Sequence, residues 1–106
     1  MSKSQRNKGA SGERDVCNLI KEHLGVDVKR NLNQTREGGA DIKMPPFSIE
    51  VKRRARIALY DWMTQAYCGC DYDDEIPLVV CRGDHKEWLA VMPFYDFLQL
   101  LKKVKE

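Results

Sequence analysis

With 106 residues, 32% of them charged and a formal net charge of +2, the chain has the size of one domain with one core. It holds no run approaching the roughly 18 apolar residues of a membrane span, and its first fifteen residues lack the apolar stretch of a secretory leader. The expected setting is therefore cytoplasmic, with Cys17, Cys68, Cys70 and Cys81 as reduced thiols. The small net charge conceals an asymmetry: residues 1–56 hold 13 Lys and Arg against 7 Asp and Glu, and residues 57–106 hold 5 against 9. A basic half beside an acidic half fits a polyanion approaching one side, and an evenly solvated surface fits nearly as well.

In chain order, residues 1–9 are polar and basic and read as a flexible N-terminal arm, leaving 10–106 as a single domain. Val16, Cys17, Ile20 and Leu24 share one helical stripe, so the pattern predicts a helix from Ala10 to Leu24, stopped by Gly25. Val26 to Arg30 alternates as a strand does, and residues 31–39 form a polar loop. Ala40–Met44 and Phe47–Lys52 read as strands joined by a turn at Pro45-Pro46. Leu59, Trp62, Met63 and Ala66 fall at helical spacing over residues 58–68. Ile76–Cys81 is a continuous apolar run of the kind a buried central strand requires. Trp88–Met92 returns as a further strand, and Phe94–Lys103 closes the domain as an amphipathic helix using Phe97, Leu98 and Leu101. The order α-β-β-β-α-β-β-α predicts an α/β fold, a mixed sheet flanked by helices.

The residues that break this core pattern are the informative ones. Glu13 precedes Val16, Cys17 and Ile20 by three, four and seven residues, so it projects from the stripe that should be buried. Glu50 and Lys52 alternate with Ile49 and Val51 and share one face of a strand. A hairpin turning at Pro45-Pro46 carries Asp41 across the ladder toward Glu50. Clustered carboxylates repel unless a cation neutralises them, and hard oxygen donors with room for water and phosphate suit Mg²⁺ or Mn²⁺. Lys52 adds a point charge able to orient water or steady a phosphate. Taken singly, each residue reads better as a solvated charge or a surface ion pair; taken together, the four favour a site.

The order Glu13, then Gly38-Gly39-Ala40-Asp41, then Ile49-Glu50-Val51-Lys52 resembles the PD-(D/E)XK nuclease superfamily. More narrowly it is similar to the archaeal and phage Holliday-junction resolvases. Lys8-Gly9 and Glu13-Arg14 match the Lys-Gly and helical Glu-Arg that open those domains, and Lys29-Arg30 match their basic strand end before the Asp. The match spans about residues 8–68. The resemblance implies a restriction-endonuclease-like fold and a metal-dependent, structure-selective DNA endonuclease acting on four-way junctions or other branched DNA. It implies that Glu13, Asp41 and Glu50 ligate Mg²⁺ or Mn²⁺ with help from the Val51 carbonyl, that Lys52 is catalytic, and that the enzyme works as a homodimer in a bacterial, archaeal or phage-infected cell. The sequence departs from the pattern in three ways. Ala40 stands where the name has Pro, Glu50 follows Asp41 at a short spacing of nine positions, and only Thr35 stands in the loop where the archaeal enzymes carry a functional Ser.

Lys52-Arg53-Arg54-Ala55-Arg56 begins at the catalytic edge. With Lys8, Lys29, Arg30 and Arg36, its arginines form the expected DNA-contacting set. Gln65 resembles a Gln that many PD-(D/E)XK members place beside the site, and Thr35 is the other possible accessory. Tyr60, Trp62, Met63 and Tyr67 give the second helix more apolar surface than one core-facing stripe uses, which packing explains first and a dimer contact second. Two alternatives stay open: a PD-(D/E)XK nuclease of restriction-like, nicking or mismatch activity, and a catalytically silent DNA-binding module of the same fold.

Overall fold

The computed structural model describes residues 3–31 and 39–105. Among them lie three helices and one four-stranded mixed sheet, the α/β architecture that the element pattern predicts. In chain order the elements are α1 (Lys3–Leu24), β1 (Ile42–Met44), β2 (Phe47–Arg53), α2 (Leu59–Cys68), β3 (Ile76–Arg82), β4 (Leu89–Val91) and α3 (Phe94–Lys105). The strands lie side by side in the order β1-β2-β3-β4. β1 and β2 form an antiparallel hairpin, β2 and β3 are parallel with α2 as the crossover, and β4 returns antiparallel to β3.

The two faces of the sheet carry separate cores. Val16 of α1 packs with Ile42, Ile49, Val51 and Leu78 on one face. Trp62 and Ala66 of α2 pack with Val79 and Cys81 on the other. The alternation read from Phe47 to Lys52 is therefore a real division: Ile49 and Val51 turn to α1, and their neighbours turn to the α2 side. The two-residue Pro45-Pro46 turn, with a cis peptide bond, makes the hairpin short enough for the nine-residue spacing between Asp41 and Glu50.

The structure departs from expectation in three places. α1 begins at Lys3 rather than Ala10, so residues 3–9, read as a flexible arm, are helical. Lys8 is tied to Asp84 of the β3–β4 loop at 3.0 Å, a partner 76 residues distant that periodicity cannot register. Val26–Arg30 is not a strand; among the described residues its pairing is an isolated bridge from Arg30 to Ile42. β1 is only three residues long and offers no longer edge for it to pair with. Finally, α3 forms as expected but does not close a core: none of its residues is buried, and Phe97, Leu98 and Leu101 are exposed.

Two glycines shape the approach of the helices to the hairpin. Gly25 adopts φ +70° and donates its N–H to the Lys21 carbonyl at 2.9 Å, the left-handed cap that ends α1. Gly69 ends α2 against the strand entrance: a Cβ there would lie 3.0 Å from the Ala40 nitrogen and 3.1 Å from its Cα. Only a bare backbone lets α2 approach the segment that delivers Asp41.

Candidate active site

β2 supplies the centre. The register Ile42↔Ile49 sets Asp41, one step before β1, against Glu50 on β2. The Asp41 N–H donates to the Ile49 carbonyl at 3.0 Å, and its Oδ2 accepts the Val51 N–H at 2.7 Å. The carboxylate is thus oriented by the strand that carries its partners. Lys52 lies two residues beyond Glu50 on the same face, with its Nζ 3.3 Å from Glu50 Oε1. Glu13 reaches in from α1, where its Oε1 accepts a hydrogen bond from Arg30 Nε at 3.0 Å.

All three carboxylates are buried: Glu13 is 7% exposed, Asp41 6% and Glu50 8%. Charged groups are seldom this buried unless paired, and three together are costly. Burial first, then the charge of Glu50, push the Asp41 carboxyl up to about 7, with Glu13 adding to the rise and the Val51 N–H and Lys52 opposing it. Burial likewise raises the Glu50 carboxyl, against the charge and hydrogen bond of Lys52. Among the described residues Lys52 and Arg30 pair with Glu50 and Glu13, whereas Asp41 has no ion pair. The raised Asp41 carboxyl reflects first the cost of burying a charge and then the neighbouring carboxylates. Buried carboxylate oxygens side by side are the donor type that a hard divalent cation takes. Among the described residues no three acidic, His or Cys side chains already converge as a cage; Glu13 is paired with Arg30 and Glu50 with Lys52.

The other expected residues fall in different places. Arg30 holds Glu13 and Lys8 holds Asp84, so each is committed inside the fold, while Lys29 is exposed and 3.8 Å from Asp27. Arg53 and Arg54 are partly buried at the end of β2, and Arg56 is exposed just beyond. Gln65 lies exposed on α2 beside the buried Ala66. Thr35 and Arg36 lie outside the described residues.

Sequence reasoning missed two basic residues. Arg82 pairs with Arg53 across β2 and β3 and stacks over Trp88, its guanidinium carbon 5.4 Å from the ring. The Nε of each arginine is buried with no hydrogen-bond partner among the described residues. Both Nε atoms are closed off from solvent, so a phosphate oxygen would have to meet the terminal N–H groups of these guanidinium ions. Arg82 ends an apolar run, and no local pattern marks it. Lys43 is the second: its Nζ donates to the Gly69 carbonyl at 2.8 Å and meets Ser48 Oγ and Glu75. It fastens the hairpin to the end of α2 and so supports the entry of Asp41.

The family model described as "Phage putative PDDEXK endonuclease" matches residues 4–106 of the chain, a span that takes in the helix of Glu13, the hairpin of Asp41 and Glu50, and all that follows them. No curated protein and no solved structure matches the chain. No helix among the described residues is long and apolar enough to cross a membrane.

Proposed function

Because the chain belongs to the phage PD-(D/E)XK endonuclease family, we propose that it hydrolyses phosphodiester bonds in DNA with Asp41, Glu50 and Glu13 holding Mg²⁺ or Mn²⁺. The observation that carries this reading is the burial of Asp41 against Glu50, with Lys52 on the same face. When bound, such a cation acidifies water and offsets the charge that builds on a scissile phosphate. Asp41 is held for ligation by the Val51 N–H, and the adjoining Val51 carbonyl is a further oxygen donor. Arg30 orients Glu13. Lys52 brings a positive charge to the edge where charge develops in the transition state, and it aligns water or neutralises the phosphate there. Arg53, Arg54 and Arg56, joined by Arg82, run from that edge and neutralise flanking phosphates. Exposed Lys29 and, on the sequence alone, Arg36 are further phosphate contacts in this reading.

The substrate we propose is branched DNA, in particular the four-way junction, cut by a homodimer. Among the described residues one carboxylate site stands without a helix or finger dedicated to base readout, which favours recognition of shape. Two strands cut symmetrically call for two copies about a two-fold axis. A silent DNA-binding module would have no reason to keep Glu13, Asp41, Glu50 and Lys52 intact. The test offers a synthetic four-way junction, linear duplex, flap and single strand side by side with Mg²⁺. Preferential, symmetric cutting of the junction is expected. Equal cutting of linear duplex would move the substrate to a restriction-like or nicking class, and binding without cutting would leave a silent module.

A further inference from the structure

α3 is assembled the wrong way round for a helix that packs on its own domain. Its best-covered positions include Asp96, Gln99 and Leu100, whereas Phe94, Phe97, Leu98, Leu101 and Val104 are exposed, Phe94 by 71% and Val104 by 81%. Phe94 and Phe97 stack on each other with ring centroids 6.3 Å apart, which extends the apolar stripe. An isolated helix of about twelve residues is marginal in water, and α3 has twelve with none buried. It needs a cover that the described residues of its own chain do not give.

The same chain carries a surface of the matching kind. Leu59, Tyr60, Met63 and Tyr67 of α2, with Met92 and Phe94, line an apolar groove of about 540 Å³. Tyr60 is 92% exposed and Tyr67 54%, although α2 buries Trp62 and Ala66 on its other side. α3 starts at the lip of this groove, at Phe94, and leaves it uncovered.

We propose that the groove takes α3 of a second copy of this chain, and that the exchange is reciprocal. Three observations favour that occupant. In a two-fold pair each α3 begins beside its own groove, so both can cross into the other's by one symmetric exchange. Charge agrees: α3 ends in Lys102, Lys103 and Lys105, and the loop after Tyr67 exposes Asp73 and Asp74, so a helix lying with its C-terminal end toward Tyr67 meets opposite charge. Area agrees as well. Aromatic side chains bury roughly 150–250 Å² each, and Tyr60, Tyr67, Phe94, Tyr95 and Phe97 are all exposed. With the aliphatic stripe they supply the order of 800 Å² per partner that a stable interface removes. The proposal gives a surface to the dimer invoked for junction cutting and in that respect rests on that reading. Its test reads association without DNA or metal, so failure of the nuclease assignment leaves it standing.

The experiment is sedimentation of the full chain at micromolar concentration, beside two variants. Leu98→Asp/Leu101→Asp alters the helix, and Tyr60→Asp/Tyr67→Asp alters the groove. All four positions are exposed, and circular dichroism with cooperative melting checks that each variant is folded. Wild type is expected to be a dimer, and each variant to associate at least roughly a hundredfold more weakly. Mixing the two variants should restore heterodimers, because one intact helix then meets one intact groove. A wild-type monomer, including one that instead binds anionic vesicles through α3, would overturn the proposal. So would a mixture that shows no rescue, which is the result expected of helix-to-helix pairing.

Discussion

The β1–β2 hairpin and α3 break the same rule in opposite directions. The hairpin places Asp41 and Glu50 in the interior, where charge is expensive. α3 leaves Phe94, Phe97 and Leu101 in water, where apolar surface is unfavourable. The hairpin is over-determined: Val51 and Ile49 hold Asp41 through the backbone, Lys43 and Gly69 lock the hairpin to α2, and Arg30 and Lys52 partner the two glutamates. α3 is under-determined, with local hydrogen bonding and no buried residue. Strong support around an unfavourable arrangement points to chemistry. Absence of support around an apolar face points to a partner.

The largest effect expected on the hairpin side is that of Asp41→Ala or Glu50→Ala. Each removes a carboxylate and no phosphate-contacting cation. Cleavage should fall by more than the roughly 10–100-fold that removing a supporting partner costs, and DNA binding should stay within a few-fold in a filter or gel-shift titration. Lys52→Ala comes next, with single-turnover cleavage lowered by about 10²–10³-fold and divalent-cation affinity little changed, if Lys52 acts on the reacting charge as proposed. A collapse of cation affinity with normal turnover at saturating cation would refute that role. Gly69→Ala tests the support itself. The new Cβ meets the Ala40 backbone, so a destabilisation of about 1–3 kcal/mol in urea unfolding is expected, with cleavage impaired because Asp41 shifts. The mildest is Arg53→Gln/Arg54→Gln/Arg56→Gln, which should flatten the log–log dependence of DNA binding on salt by up to about one unit for each phosphate no longer neutralised. An unchanged slope would route DNA over another face.

Much of the hairpin site is legible in the sequence because the relevant signals are local. Glu50 and Lys52 show in the alternation along β2, Asp41 follows from a two-residue turn, and Glu13 is marked by the stripe it interrupts. The features that are not legible depend on long-range contact. Lys8 meets Asp84, Lys43 meets Glu75 and Arg82 joins Arg53 only once the chain has folded. The expected strand at Val26–Arg30 alternates correctly but finds only a three-residue neighbour. α3 is the clearest instance. Its periodicity correctly announces an apolar face, yet periodicity carries no information about which surface covers it. The stripe reads most simply as core-facing, and the fold leaves it outside. The roles of Thr35 and Arg36 fall outside the described residues and rest on the sequence alone.

Whether the buried carboxylates are held together for a cation is tested most directly by thermal melting without DNA. The Asp41 carboxyl in the fold is raised from 3.8 to about 7. The native state therefore keeps a proton that the unfolded chain releases, and the stability this gives, complete at acid pH, is lost as pH rises through about 7. Wild type free of metal should melt at lower temperature at about pH 8 than at about pH 5, and Mg²⁺ or Mn²⁺ should raise its melting temperature at the higher pH by binding the native state alone. Asp41→Asn, neutral throughout, should melt higher than metal-free wild type at about pH 8 and gain little from the cation. A wild type indifferent to both cations, together with an Asp41→Asn variant that melts lower at that pH, would contradict a cation site built on Asp41.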